Sequence, residues 1–200
     1  MNSPGLRERK KQKTRWAIQE HALRLFAEQG YDATTVDQIA AAAEISPSTF
    51  FRYFKTKEDV VIADQYDPIL ADGLAAAPAD LSPAAALRWA MRRAFGDIDE
   101  AESAKIFERT RLTMSVPALR ARTLENFTAT LDLVATGVAA RVGRDAGDLE
   151  VRVFAGAVVG ALVTAIQLWV DSDGRGDLAD LADRALAHLD AGLPLGPRRS

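Results

Sequence analysis

Thr35-Val36-Asp37-Gln38-Ile39-Ala40-Ala41-Ala42-Ala43-Glu44-Ile45-Ser46-Pro47-Ser48-Thr49-Phe50-Phe51-Arg52-Tyr53-Phe54 reads as two short helices joined by a tight turn. Thr35 stands in N-cap position, and Gln38 three residues on completes a capping box, in which hydroxyl and amide each satisfy an orphan backbone donor. A helix of about Val36–Ala43 follows, with Ile39 and Ala40 inward. Ser46 is a second N-cap, and Pro47 suits the first helical position because the N–H it lacks has no helical partner there. The next helix then runs over about Pro47–Tyr53, with Phe50 and Phe54 four apart and facing the core. Only Glu44-Ile45-Ser46 is left for the turn.

Upstream, a longer helix of about Lys11–Gln29 carries Ala17, Ile18, Ala22, Leu25 and Phe26 at helical spacing and stops at Gly30. Downstream, Thr56 caps a fourth helix that extends to about Ala76, with Pro68 placed to kink or end its first part. Ser82 and Pro83 open a helix to about Phe95. Further helices read as about Ala101–Met114, Ala118–Val142, Leu149–Val170 and Asp177–Ala191. No sustained period-2 alternation appears, so strands are not expected. The expectation is an all-α chain of about nine helices. Residues 1–60 form a three-helix helix-turn-helix domain with a basic arm, 61–193 a larger helical domain, and 194–200 a disordered tail.

A helix-turn-helix lays its second helix in the major groove of DNA, where the first residues of that helix meet base edges. Ser46, Ser48 and Thr49 are small and polar enough for close approach, and Arg52 and Tyr53 sit one turn later, within reach of bases or phosphates. Thr35 and Lys57 stand at helix N-termini, where free N–H groups favour phosphate. Capping alone accounts for Thr35, Ser46 and Thr56 one by one. It does not account for three caps, a short exposed helix and a basic arm together.

The net charge of −3 speaks against a nucleic-acid partner, but its distribution speaks for one. Arg7, Arg9, Lys10, Lys11, Lys13 and Arg15 face a single acid, Glu8, within the first fifteen residues, so the rest of the chain is acidic. A solvated tail would carry the same charges, so the arm supports the reading only in company with the motif. The chain has no cysteine and two distant histidines, which excludes thiolate metal sites and disulfides and suits a reducing cytoplasm. No secretory signal is read at the charged N-terminus. No nucleophile-base pair, phosphate loop or metal motif points to an enzyme, and no metal or cofactor is implied.

The stretch Ala22–Val36, then Ile39–Ala43, then Ser46–Glu58, strongly resembles the TetR family of bacterial repressors, over roughly residues 8–64. The resemblance implies a homodimer with two reading heads, a palindromic double-stranded operator and a ligand pocket in the C-terminal half. By position it implies DNA contacts at Thr35, Ser46, Ser48, Thr49, Tyr53 and Lys57. Phe51 departs from the pattern, standing where the family very often has a phosphate-binding tyrosine. Without a hydroxyl on Phe51, that contact should be missing or replaced by apolar contact with a thymine methyl or a sugar. A weaker resemblance, over Ser115–Arg122 and Glu125, is to a subgroup that includes mycofactocin-type and acyl-CoA-responsive regulators.

In the C-terminal half, Trp89, Met91, Phe95, Phe107, Met114, Phe127 and Leu131 are large apolar residues at helical spacing, most of them core. Trp89, Phe95, Phe107, Met114, Phe127 and Leu131 are the candidates for lining a pocket, which would take a small hydrophobic effector. Arg111, with Arg109, Arg120 and Arg122, would meet a nucleotide phosphate if the effector were acyl-CoA-like; the alternative is a solvated face paired with Glu108 and Glu125. Phe154, Val158, Leu162, Ile166 and Trp169, with Leu178, Leu181, Leu186 and Leu189 on the last helix, suit either a four-helix dimer interface or the chain's own core. Val153–Val170 holds no charge and reaches the lower limit for a membrane span. A membrane-anchored or an architectural DNA-binding protein is therefore the rival reading; a buried helix with no membrane is preferred, because the segment is rich in Ala and Gly and carries Thr164 and Gln167.

Overall fold

The computed structural model describes residues 6–62, 67–96 and 98–194. It is all-helical, with ten helices and no strand among these residues: α1 (Leu6–Gln29), α2 (Val36–Ala42), α3 (Pro47–Tyr53), α4 (Lys57–Ile62), α5 (Asp67–Ala76), α6 (Pro83–Phe95), α7 (Glu100–Ser115), α8 (Pro117–Val142), α9 (Leu149–Asp171) and α10 (Leu178–Asp190). The described residues of the fourth expected segment are Lys57–Ile62 and Asp67–Ala76, counted here as α4 and α5, and Pro68 is the second described residue of α5. Residues 1–5 of the basic arm and 195–200 of the tail lie outside the described residues, as do the side chains of Arg7, Arg9 and Glu125.

The chain divides into two compact units, Met1–Ala63 with Leu112–Thr123, and Asp64–Arg111 with Leu124–Ser200. In the first, Ile18, Ala22 and Phe26 of α1 meet Ile39, Phe50, Phe54, Val60 and Val61, all essentially buried. Each such large apolar side chain stabilises the fold by roughly 1.5–3 kcal/mol relative to exposure. Leu119 of α8 is fully buried in the same cluster, with Leu112 and Val116 packed against it. One expectation for α1 is corrected: Ala17 is exposed, and Gln19 is turned inward instead. Burial of that amide is tolerable because its Nε2 donates to the Val60 carbonyl at 2.8 Å, tying α1 to α4.

In the second unit Leu74, Leu87, Val134, Val138, Val158 and Leu186 form the core. Arg88 and Arg92 of α6 clamp Asp183 of α10 at 2.9 and 2.5 Å. The hydrogen bond from Arg88 holds the Asp183 carboxyl below its ordinary range. Arg141 of α8 donates to the carbonyls of Ala77, Pro78 and Leu81, closing the α5–α6 link. Of the two readings left open for the α9 face, the chain's own core holds for these residues. Val158 and Trp169, together with Leu186 of α10, lie in the chain's own core, and Phe154, Leu162, Leu181 and Leu189 pack against it. The apolar residues α9 leaves exposed are Leu149, Val153 and Leu168.

One described helix, Leu149–Asp171, is long and apolar enough to cross a membrane. Its Val151, Ala155, Val158, Ala165 and Trp169 are buried inside the protein. The neighbouring α10 carries Asp180, Asp183, Arg184 and His188, which would be costly beside a span in lipid.

Candidate nucleic-acid interface and effector cleft

The first unit is built by local chemistry around α3. Thr35 caps α2 with both capping-box bonds: its Oγ1 accepts from Gln38 N at 3.2 Å, and Gln38 Oε1 accepts from Thr35 N at 2.8 Å. The turn then requires Glu44 at φ 56°, the left-handed region, so that Glu44 N and Ile45 N reach the carbonyls of Ala41 and Ala40. Ser46 Oγ accepts from Thr49 N at 3.1 Å and shares hydrogen bonds with Ser48 Oγ at 2.8 Å and Thr49 Oγ1 at 3.0 Å. The three hydroxyls expected at base edges are thus engaged with one another in the free protein.

Phe50 and the C-cap Phe54 anchor α3 in the core, which turns Ser48, Phe51 and Arg52 outward; Lys55, just past the helix, is exposed as well. Phe51 is 52% exposed and meets Phe50 edge-on, ring centres 5.4 Å apart. The Arg52 guanidinium lies 5.5 Å from the ring of Tyr53, and Tyr53 itself packs partly into the core. Lys10, Lys11 and Lys13 of α1 are exposed, while Arg15 stacks on Phe54 at 4.9 Å.

Lys57 turns back onto its own unit. Its Nζ donates to the carbonyls of Tyr31 at 2.8 Å and Thr34 at 3.1 Å and lies 4.0 Å from the Tyr31 ring centre. Beside it, Tyr31 Oη donates to Glu58 at 2.6 Å. Burial, reinforced by that bond to the carboxylate, drives the Tyr31 phenol well above its ordinary range. Burial alone would raise Glu58 too, but the bond from Tyr31, with backbone and Thr56 donors, brings it below its usual value. Together these groups lash the α1–α2 link to α4. Sequence reasoning missed this clamp, since nothing local marks residues 26 and 27 positions apart as partners.

In the second unit a cleft of about 260 Å³ opens among the α6–α7 link, α7, α9 and the start of α10. Phe95, Ile98, Ile106 and Trp169 supply apolar surface, and Asp99, Glu100 and Asp177 supply carboxylates. Asp99 and Asp177 also cap their helices, accepting from Glu102 N at 2.8 Å and Ala179 N at 2.7 Å. Neither residue stands out in the sequence, where a capping side chain is a purely local signal. Trp169 is held by its Nε1 donating to the Gly176 carbonyl at 3.1 Å and by Phe107 edge-on at 5.3 Å. Phe107 fits because residue 174 is glycine at φ 72°: a Cβ there would come within 2.8 Å of the ring.

Among the pocket candidates, Phe95 lines this cleft and Phe107 backs its Trp169 wall. Trp89 and Leu131 pack on the core instead, and Phe127 is half-buried on α8. Met114 belongs to the first unit. Arg111 pairs with Glu108 at 2.6 Å in a solvated position, and Arg122 pairs with the partly buried Asp59 at 3.0 Å.

The fold and the outward ridge of α3 define a helix-turn-helix DNA-binding protein with a separate helical second unit. Residues 18–63 match the model for bacterial regulatory proteins of the tetR family, and residues 81–194 match the MftR C-terminal domain. The chain belongs to the TetR family and is a DNA-binding transcription regulator. It is 37% identical over 154 residues to the HTH-type transcriptional regulator TcmR of Streptomyces glaucescens, covering 74% of this chain and 68% of that protein. It is 29% identical over 188 residues to a protein of Mycobacterium tuberculosis described as a mycofactocin biosynthesis transcriptional regulator, MftR, covering 92% and 93% of the two. In fold it is similar to the fatty acid degradation regulator FadR from Bacillus halodurans, with TM-score 0.62 and 24% identity over 89% of this chain and 98% of that one.

Proposed function

We propose that this protein is a ligand-responsive repressor that binds a palindromic operator as a homodimer in the cytoplasm and is released by a small hydrophobic effector. Residues 1–60 read the DNA, and 61–193 hold the effector and the dimer interface. The observation that carries the reading is the outward ridge Ser48, Phe51 and Arg52 on a capped, core-anchored helix, in a unit whose α1 exposes Lys10, Lys11 and Lys13. Thr35, Ser46, Ser48, Thr49, Phe51, Arg52 and Tyr53 are proposed as the DNA contacts; the bonds of Lys57 to Tyr31 and Thr34 leave it a lesser part in phosphate binding.

The dimer is proposed through α9 and α10, on the face that α9 leaves exposed. Leu149, Val153 and Leu168 are apolar there, and Gly160 allows close helix approach. The effector is proposed for the cleft of Phe95 and Trp169. Its three carboxylates would repel a polyphosphate head, so this cleft favours a hydrophobic ligand over an acyl-CoA-like one. A ligand that favours one dimer geometry shifts the population away from the DNA-bound spacing, and a coupling of about 1–3 kcal/mol weakens binding by roughly 5–150-fold.

The test is binding of the full chain to its own upstream DNA against an unrelated duplex at two salt concentrations. Selective, salt-sensitive binding that a folded Ser48→Ala/Arg52→Ala variant loses is the expected result. Salt-sensitive binding without selectivity would favour the architectural rival, and no binding to any duplex would overturn the proposal.

A further inference from the structure

An exposed phenylalanine on a recognition helix needs a reason. Phe51 is 52% exposed, and it lies in the middle of the outward ridge, one turn beyond Ser48 and next to Arg52. Its ring is not loose: it stands at 87° to the ring of Phe50, a fully buried anchor, at 5.4 Å. The hydroxyls of Ser46, Ser48 and Thr49 are turned to one another and to the cap. What the ridge holds ready for a groove is therefore one apolar plate beside one guanidinium.

Phenyl has no donor for a phosphate and no acceptor for a base amine. On the major-groove edge of a base pair, the one apolar feature is the methyl group on C5 of thymine. We propose that Phe51 reads a thymine methyl group in each half-site, so that part of the sequence specificity depends on a C5 methyl and not on a hydrogen bond. The central place of Phe51 on the ridge favours a base edge over a sugar at the groove wall. The inference rests on α3 being the recognition helix. The same chemistry extends to 5-methylcytosine, which carries its methyl at the equivalent atom.

The experiment uses the full chain and duplexes that it enriches from a randomised library. Each thymine is replaced singly by deoxyuridine, which removes the methyl and leaves every hydrogen-bonding group. Burial of one methyl group predicts a loss of about fourfold at one position in each half-site. Phe51→Ala should bind more weakly and lose its sensitivity to deoxyuridine at those positions; the side chain is exposed, so the fold should survive, as circular dichroism would check. Placing cytosine and then 5-methylcytosine at the same position should recover a similar factor in the original chain alone.

Indifference of the original chain to deoxyuridine at every thymine would overturn the inference while leaving the recognition-helix reading in place. Undiminished sensitivity in Phe51→Ala would also overturn it, since another group would then be reading the methyl. Failure to enrich any duplex would remove the recognition-helix reading and this inference with it.

Discussion

Glu44 is the residue on which the helix-turn-helix bends, and its φ of 56° gives a measurable consequence. Left-handed backbone costs a residue with a Cβ about 1–2 kcal/mol. The conformation is imposed because the amides of Glu44 and Ile45 close the end of α2 on the carbonyls of Ala41 and Ala40, at 3.1 and 2.9 Å. Glu44→Gly removes the steric cost and adds back about 0.4–1 kcal/mol, because glycine leaves the unfolded chain more freedom. The net expectation is stabilisation of about 0.5–1 kcal/mol. Urea unfolding followed by circular dichroism reads it directly. Glu44→Ala is the control, since it removes the same charge but keeps the Cβ, and its stability should stay near that of the parent. If alanine stabilised the protein as much as glycine, the gain would come from the lost carboxylate, and the backbone argument would be refuted.

Lys57→Met should cost the fold about 1–2 kcal/mol, because two carbonyls lose a charged donor, while the salt slope of DNA binding falls by well under about one. A salt slope smaller by about one would instead make Lys57 a phosphate contact. Glu58 has a folded pKa below its unfolded one, so its contribution is full above the unfolded value and is lost as pH falls through the folded value. Tyr31→Phe should therefore cost about 1 kcal/mol at pH 7 and less as the pH falls through the folded value of Glu58; a loss that does not change with falling pH would separate the clamp from ionisation. Arg141→Lys keeps the charge but not the fork that spans the carbonyls of Ala77, Pro78 and Leu81. Thermal unfolding should show it destabilised by about 1–2 kcal/mol, and a lysine variant as stable as the parent would mean that charge alone suffices.

The elements of this protein were written locally, and local signals suffice to find them. Thr35, Ser46, Ser82 and Asp177 cap because a short oxygen-bearing side chain reaches the first free amides of its own helix. Gly30 at φ 88° and the prolines at 47 and 83 mark ends and beginnings for equally local reasons. The spacing of Phe50 and Phe54 told which side of α3 is buried, and with it which side is presented outward.

Other assignments depended on segments far apart in the chain. The periodicity of α9 marks an apolar helix but not which of its faces meets α10, so Val158 and Trp169 proved to be core and Leu149, Val153 and Leu168 the exposed row. The ammonium of Lys57 has the same sequence context whether it serves a phosphate or a carbonyl, and only the arrival of the Tyr31–Thr34 link beside it decides. Leu119 joins the first unit, and Asp99, Trp169 and Asp177 meet at one cleft, for the same reason. Capping and periodicity act within a few residues, so the sequence by itself determined most of the helices and the outward face of α3. Partner choice between distant faces is set by packing, and that was decided by the tertiary structure alone.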